Sequence, residues 1–330
     1  MDKRAARAKG VLGRSSRTSS RFEGGEVQRQ RADGVRGRPC GMAPKTDAGE
    51  AGRGRAVCRI CPHRCSLAEG AVGRCRARVA RDGVVVSLNY GLATSLALDP
   101  IEKKPLARFH PGSTVLSVGS FGCNLSCPFC QNASIAQAGK HEVRWRRVEP
   151  GELVEQALRL ADRGCIGIAY TYNELLVGFE FVRDCARLAH EAGLLNVVVS
   201  NGVICDEPLE ELVPLIDAAN IDLKGFSQGF YDIVGGDFLT VRRTIERLAA
   251  APSCHLEVTT LVIPGLNDDV EEIAEAARWL ASLDHGITYH LTRFFPQHRM
   301  ADRPPTPIAT LREAADAARR HLHDVRLGNC

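Results

Sequence analysis

Three thiols within eight residues, Cys123, Cys127 and Cys130 in "GCNLSCPFCQNA", are the part of this 330-residue chain best equipped for chemistry. A structural zinc wants four protein ligands, and a catalytic zinc takes three plus water with His or carboxylate among them. A redox dithiol needs only C-x-x-C and leaves Cys123 unexplained. A ferredoxin-type loop supplies a fourth cysteine, and none occurs in the next thirty residues. The reading left is a [4Fe–4S] cluster held by three thiolates, with its fourth iron open to an exogenous ligand.

A second group precedes it: Cys58-x2-Cys61-x3-Cys65-x9-Cys75, with His63 inside and Gly70 and Gly73 at its turns. Four thiolates satisfy a tetrahedral zinc outright, with His63 not required. The same four could hold an auxiliary [4Fe–4S] cluster that relays electrons. Both readings stand at this point. The singletons Cys165, Cys185, Cys205 and Cys254 fall in helix or strand patterns and read as buried small residues.

These groups need a scaffold. From Ser113 onward short β-type runs alternate with helical ones, the strands being expected at 113–120, 167–172, 196–202, 218–225, 255–265 and 287–295. Between them lie amphipathic stretches such as "PGELVEQALRLADRG" and "DVEEIAEAARWLASL", the latter with Ile273, Ala276, Ala277 and Leu280 at helical spacing. This rhythm predicts parallel pairing with right-handed crossovers, an α/β partial (β/α)6 barrel two units short of a TIM barrel. Polar residues gather at the strand ends: Asn173 and Glu174, Ser200 and Asn201, Asp222 and Lys224, Asn267 and Asp268, Arg293. Active sites of parallel barrels sit on that rim, and the three-cysteine loop follows the first strand onto it. Asp268 reads as the N-cap of the helix that follows.

The expected organisation is a disordered basic extension over 1–56, a Cys-rich module with connector over 57–112, the barrel over 113–300, and a C-terminal helix and short strand over 301–330. Residues 1–56 carry 14 basic against 6 acidic residues, so the formal charge of +4 conceals a remainder at −4. That balance indicates no nucleic-acid-binding face on the folded part. The sequence offers no signal-peptide core and no run of about 18 apolar residues. Thirteen cysteines in such a chain point to thiolate ligands in a reducing cytoplasm, with no membrane partner.

The pattern C-x3-C-x-φ-C after the first strand of a partial barrel resembles the radical S-adenosylmethionine (SAM) superfamily. The resemblance implies that the open iron is chelated by SAM and that an electron from the cluster cleaves the sulfonium. Methionine and a 5′-deoxyadenosyl radical that abstracts hydrogen would result. It further implies SAM contacts from Phe129, from Thr171, Tyr172, Asn173 and Glu174 of "YTYNE", and from Ser200 and Asn201 of "SNG". Asp222 and Lys224 of "DLK", Val262 and Ile263 of "LVIPGLND", His290 and Arg293 would meet SAM or substrate. Such relatives follow the Glu with Pro, where this chain has Leu175. For Asn201 a plain turn, for Lys224 a solvated lysine and for His290 an ordinary hydrogen-bonded histidine are the competing structural readings.

The "CxxCPHxC…GxxGxCRxR" module, followed by "YGLATSLALDPIEKKPLARFHPG", resembles the radical SAM enzyme of the AmmeMemoRadiSam system. That likeness implies Memo-like and AMMECR1-like partner proteins, an electron donor such as flavodoxin or ferredoxin, and kinship with pyruvate formate-lyase activating enzymes. Two rivals remain: a glycyl-radical activating enzyme proper, and a zinc-binding interaction module whose basic N-terminus grips RNA.

Overall fold

The computed structural model describes residues 54–330, so the extension expected over 1–56 lies, but for its last three residues, outside the described residues. The Cys-rich stretch is built from two short antiparallel hairpins, β1 (Arg55–Val57) with β2 (Ser66–Ala68) and β3 (Arg78–Arg81) with β4 (Val84–Ser87). Chain reversals at Gly70 and Gly83, both at positive φ, use the conformation that glycine adopts without strain. The expected connector is itself ordered. It carries β5 (Leu92–Ala93) and β6 (Ser95–Pro100) and then passes under the barrel.

From Thr114 the β-branched runs and amphipathic helices alternate as their periods require. In chain order come β7 (Thr114–Gly119), α1 (Ala133–Ala136), β8 (Arg146–Arg147, paired with β5), α2 (Pro150–Leu158), β9 (Cys165–Tyr170) and α3 (Phe179–Glu191). Next are β10 (Leu195–Ser200), α4 (Asp206–Leu212), β11 (Ala218–Asp222), α5 (Gln228–Val234) and α6 (Phe238–Ala249). The chain ends through β12 (His255–Val262), α7 (Val270–Leu283), β13 (Thr288–Arg293), α8 (Ile308–Ala318) and β14 (Val325–Gly328).

The main sheet has the order β14-β13-β12-β11-β10-β9-β7-β6. Every pairing in it is parallel except that of β6, which lies antiparallel along β7 as an edge strand. The architecture is the expected partial (β/α)6 barrel, with β6 and β14 added at its two edges. Sequence patterning missed β6 because "SLALDP" follows the two-residue β5 after Thr94 alone and has no helix to set a βα rhythm. Among the described residues no helix is long and apolar enough to cross a membrane.

Helix starts follow local chemistry. Pro150 opens α2, where its missing N–H is no loss. The cap of α7 is Asp269, not Asp268: its carboxylate accepts from the amides of Glu271 and Glu272 at 2.8 and 3.2 Å. Asp268 closes the preceding turn instead, accepting from the Gly265 amide.

The connector supplies the floor of the barrel. Ile101 and Leu106 are fully buried against Val115, Ala169, Val197 and Ala218, with Phe109 alongside. Such side chains contribute about 1.5–3 kcal/mol each by burial. Beside this floor Glu257 is wholly buried and accepts from the amides of Ala107 and Arg108 at 3.0 and 2.8 Å. It also pairs with His255 and His290. Burial raises its carboxyl, yet these hydrogen bonds outweigh it and hold the group down at about 2.

A carboxylate depressed from 4.5 to about 2 lends stability that is complete above 4.5 and is lost as pH falls toward 2. Glu257→Gln should therefore lower the unfolding free energy at pH 7 by about 2–4 kcal/mol. Urea titrations should show the gap between variant and wild type closing as pH drops from 5 to 2.5, and a gap that does not change with pH would refute this account.

Candidate active site

The loop after β7 carries Cys123, Cys127 and Cys130 and is held mainly from outside. Asn173, just past β9, accepts from the Ser120 amide and donates to the Gly122 carbonyl, both at 2.9 Å. Asn132 returns the contact by donating to the Tyr172 carbonyl at 2.7 Å. From other directions the Ser126 amide reaches Val234 at the end of α5, and the Arg299 amide reaches the Pro128 carbonyl. Gly122 sits at φ +87°, and a Cβ there would stand 2.4 Å from the Cys75 carbonyl oxygen. Only glycine allows the Cys-rich module to approach so closely.

Around the thiols stands a polar group drawn from three strand ends. Glu174 is buried and accepts from Ser200 Oγ at 2.9 Å, from the Asn201 amide at 2.7 Å and from the Leu176 amide at 3.1 Å. Burial pushes its carboxyl up to about 7, against the opposing pull of those donors. Leu175, where a Pro was expected from the resemblance, opens a 3-10 turn (Leu175–Gly178) that Glu174 itself caps. Asn201 donates from Nδ2 to Asn124 Oδ1 at 2.9 Å and lies 3.6 Å from Cys123 Sγ. Lys224 pairs with Asp222 at 2.8 Å, and its charge faces Cys127 and Cys130, where it opposes the upward push that burial exerts on both thiols.

Other residues singled out in the sequence lie elsewhere. The Tyr172 backbone is at φ +73°, which turns its ring toward the connector. There its hydroxyl donates to Asp99 and its ring lies under the Lys104 ammonium at 4.7 Å. Phe129 is buried and tilted against Phe230 at 6.2 Å. Val262 and Ile263 are fully buried, with the Ile263 amide donating to Asn267. His290 does not join the rim group; it is engaged by Glu257 beside the floor. Arg293 donates to the Thr306 carbonyl and lies over Phe295. Next to the Pro128 contact a cleft of about 550 Å³ is lined by Pro264, Arg299, Met300, Asp302, Arg303 and Pro304.

The second thiol group sits on the hairpins of the Cys-rich module. Burial pushes Cys61 up to about 12 and Cys75 to about 11, so as bare thiols they stay protonated at neutral pH. Below them Arg78 is buried and makes a fork to Glu180 of α3 at 2.7 and 2.8 Å. Among the described residues no three His, Cys, Asp or Glu side chains are gathered tightly enough for a single metal ion.

With this geometry in hand, similarity to known proteins can be placed on it. The sequence profile of the radical SAM superfamily matches residues 117–280, from β7 through most of α7. The chain belongs to the radical SAM superfamily. An uncharacterized protein of Methanocaldococcus jannaschii is 39% identical over 274 residues, 82% of this chain and 80% of that protein. The pyruvate formate-lyase 1-activating enzyme of Escherichia coli K12 is 25% identical over 153 residues, 45% of this chain and 61% of the enzyme. The crystal structure of Streptococcus suis SuiB bound to S-adenosylmethionine superposes with a TM-score of 0.53 at 12% identity, covering 66% of this chain and 52% of SuiB, a likeness of fold.

Radical SAM membership implies a [4Fe–4S] cluster and SAM. The donor set fits: three soft thiols on one rim loop, a cationic Lys224 beside two of them, and an amide N–H (Leu125) pointing at the third at 3.4 Å. Several residues that shape the surroundings of the site escaped sequence reasoning. Asn124 reads as a spacer inside C-x3-C, and Arg78 and Glu180 are 102 positions apart with no shared motif.

The Arg78–Glu180 pair yields a stability prediction. Arg78→Met alone should destabilise by about 3–5 kcal/mol, because Glu180 is left buried and unpaired. Adding Glu180→Leu should recover most of the loss in urea unfolding at pH 7; a double variant no better than the single would mean that packing, not charge, dominates.

Proposed function

We propose that this chain is an enzyme that uses SAM as the source of a 5′-deoxyadenosyl radical to take a hydrogen atom from a substrate C–H bond. What carries the reading is the convergence at Cys123: an open three-thiol loop with Glu174, Ser200 and Asn201 in one hydrogen-bonded group at its side. When bound, the cluster and SAM supply a one-electron cleavage of a sulfonium C–S bond into methionine and the adenosyl radical.

The chain's own residues bind, orient and exclude water. Cys123, Cys127 and Cys130 would hold three irons of the cluster. The Glu174 carboxylate, desolvated and fixed by three donors, is suited to the ammonium of SAM, and Asn201 to its carboxylate or ribose. Asp222 and Lys224 guard the Cys127 side, and Asn173 acts as a positioning residue for the loop. The floor made by Ile101 and Leu106 closes the barrel from below, which keeps a reactive radical from water.

The finer assignment is the AmmeMemoRadiSam type, with Memo-like and AMMECR1-like partners and a flavodoxin- or ferredoxin-like donor in a reducing cytoplasm. The module motif and the "EKKPLARF" connector support it. A second reading, activation of a glycyl-radical enzyme, is favoured by the similarity to the pyruvate formate-lyase activating enzyme. Its mark would be a glycine-centred radical signal raised on a separate protein.

Anaerobically reconstituted protein should convert SAM to 5′-deoxyadenosine under dithionite, and Cys127→Ala should reduce this to background. Glu174→Gln should keep its iron while weakening SAM binding by about 10–100-fold, the worth of a charged hydrogen bond. Equilibrium dialysis of labelled SAM reads this directly. Unchanged turnover in Cys127→Ala, or unchanged affinity in Glu174→Gln, would remove the respective assignment.

A further inference from the structure

One part of the barrel rim takes no share in the group around Cys123. The chain between β13 and α8 folds back as a loop over 294–307 and leaves a cleft of about 550 Å³ against Pro264, the second residue past β12. The loop is pinned at its base. Thr306 Oγ accepts from the Phe294 amide at 3.1 Å and donates to the Val262 carbonyl at 2.6 Å, while Arg293 donates to the Thr306 carbonyl. At the far end the Met300 amide donates to the Gln297 carbonyl at 2.9 Å, closing a turn in which His298 sits at φ +52°. The Arg299 amide donates to the Pro128 carbonyl at 2.9 Å. Pro128 stands between Cys127 and Cys130, so the loop reaches from the ends of β12 and β13 to the thiol loop itself. A cleft held at both ends needs little reorganisation to receive a ligand.

The lining combines charge with apolar walls. Arg303 is half-buried, and its guanidinium donates to the Pro264 carbonyl, which fixes its head. Arg299 is exposed, and among the described residues its guanidinium has no hydrogen-bond or ion-pair partner. These two guanidiniums against the single carboxylate of Asp302 leave the lining cationic. Pro264, Met300 and Pro304 supply apolar surface. A free guanidinium is a planar fork of donors that matches a carboxylate or a phosphate. Small-molecule sites measure roughly 300–1,000 Å³ and pair apolar walls with a few polar groups that orient the ligand.

We propose that this cleft binds the substrate and that the substrate is a small organic anion, held through a carboxylate or phosphate by Arg299 with Arg303 beside it. The inference rests on the radical SAM reading. Hydrogen transfer needs the reacting atoms about 3–3.5 Å apart, so the substrate must lie beside the thiol loop. Glu174, Ser200 and Asn201 are gathered on the Cys123 side of that loop, where they suit SAM. The cleft adjoins the opposite side, at the Pro128 carbonyl between Cys127 and Cys130, and it is open to solvent there through Arg299 and Asp302.

Titration calorimetry with malonate and with inorganic phosphate reads the site without turnover. Wild-type protein should bind at least one of them, and the tighter of the two names the group. Arg299→Gln, whose side chain leaves no partner behind, should weaken that binding by about 10–100-fold, the worth of a charged hydrogen bond. Its affinity for SAM in equilibrium dialysis should stay at the wild-type level. No binding of either probe, or binding that Arg299→Gln leaves unchanged, would overturn the anion site. A parallel loss of SAM affinity would assign the arginine to SAM and overturn it equally. For the substrate itself, the small-molecule extract of the cells that make the protein is divided on an anion exchanger. The retained fraction should raise 5′-deoxyadenosine formation by the wild-type holoenzyme, and Arg299→Gln should lose that rise. A rise confined to the unretained fraction, or none in either fraction, would overturn the substrate class. Wild-type protein that forms no 5′-deoxyadenosine from SAM under dithionite would instead bring down the radical SAM reading, whatever the two anions do.

Discussion

The catalytic loop makes few hydrogen bonds within itself, and the rim depends on the side chain that fixes where it begins. Asn173 joins the Ser120 amide to the Gly122 carbonyl, so the end of β9 dictates the exit of the chain from β7. An amide side chain can do this because it carries donor and acceptor together. Asn173 also precedes Glu174, so the residue that fixes the thiols and the residue that faces Cys123 move as one unit. Backbone at φ +73° in Tyr172 makes that possible, by turning the Tyr172 ring away while the next two side chains turn inward.

That ring is then used a second time. Its hydroxyl meets Asp99, which also takes Lys104 at 2.9 Å, so the connector is tied to the same strand end. Burial raises the Asp99 carboxyl, and hydrogen bonds from Tyr172 and Lys104 bring it well below the usual carboxylate range. The floor of the barrel is thereby coupled to its rim through a few charged and hydrogen-bonded contacts.

Much of this was legible in the sequence, because its signals are local. The strands β7 and β9 to β13 follow from period-two apolar runs, and the C-x3-C-x2-C loop carries its chemistry in eight residues. What stayed hidden depends on distant partners. Asp268 and Asp269 offer the same carboxylate to one helix start, and only the geometry of the turn at Gly265 decides which of them caps it. His290 reads as a rim residue from its strand; its partner Glu257, 33 positions earlier, draws it to the floor. The Arg78–Glu180 fork has no sequence signal, since a buried ion pair resembles two ordinary surface charges until the fold removes water from both.

The placement of Asn124 gives the C-x3-C spacing a meaning beyond ligand count. In this chain the residue after Cys123 is buried; its side chain bonds to Asn201 of the rim and to the Val203 carbonyl, and its own carbonyl meets His63 of the module. A two-residue gap between the first thiols would leave less chain in which to seat such a side chain between the two groups. The third spacer residue, Ser126, gives its amide to the Val234 carbonyl, so the loop is anchored to α5 between its first two thiols. The spacing therefore serves the scaffold as well as the metal. It lets one short loop hold three thiols open toward the rim while its backs and edges are fastened to the module, to β10 and to α5.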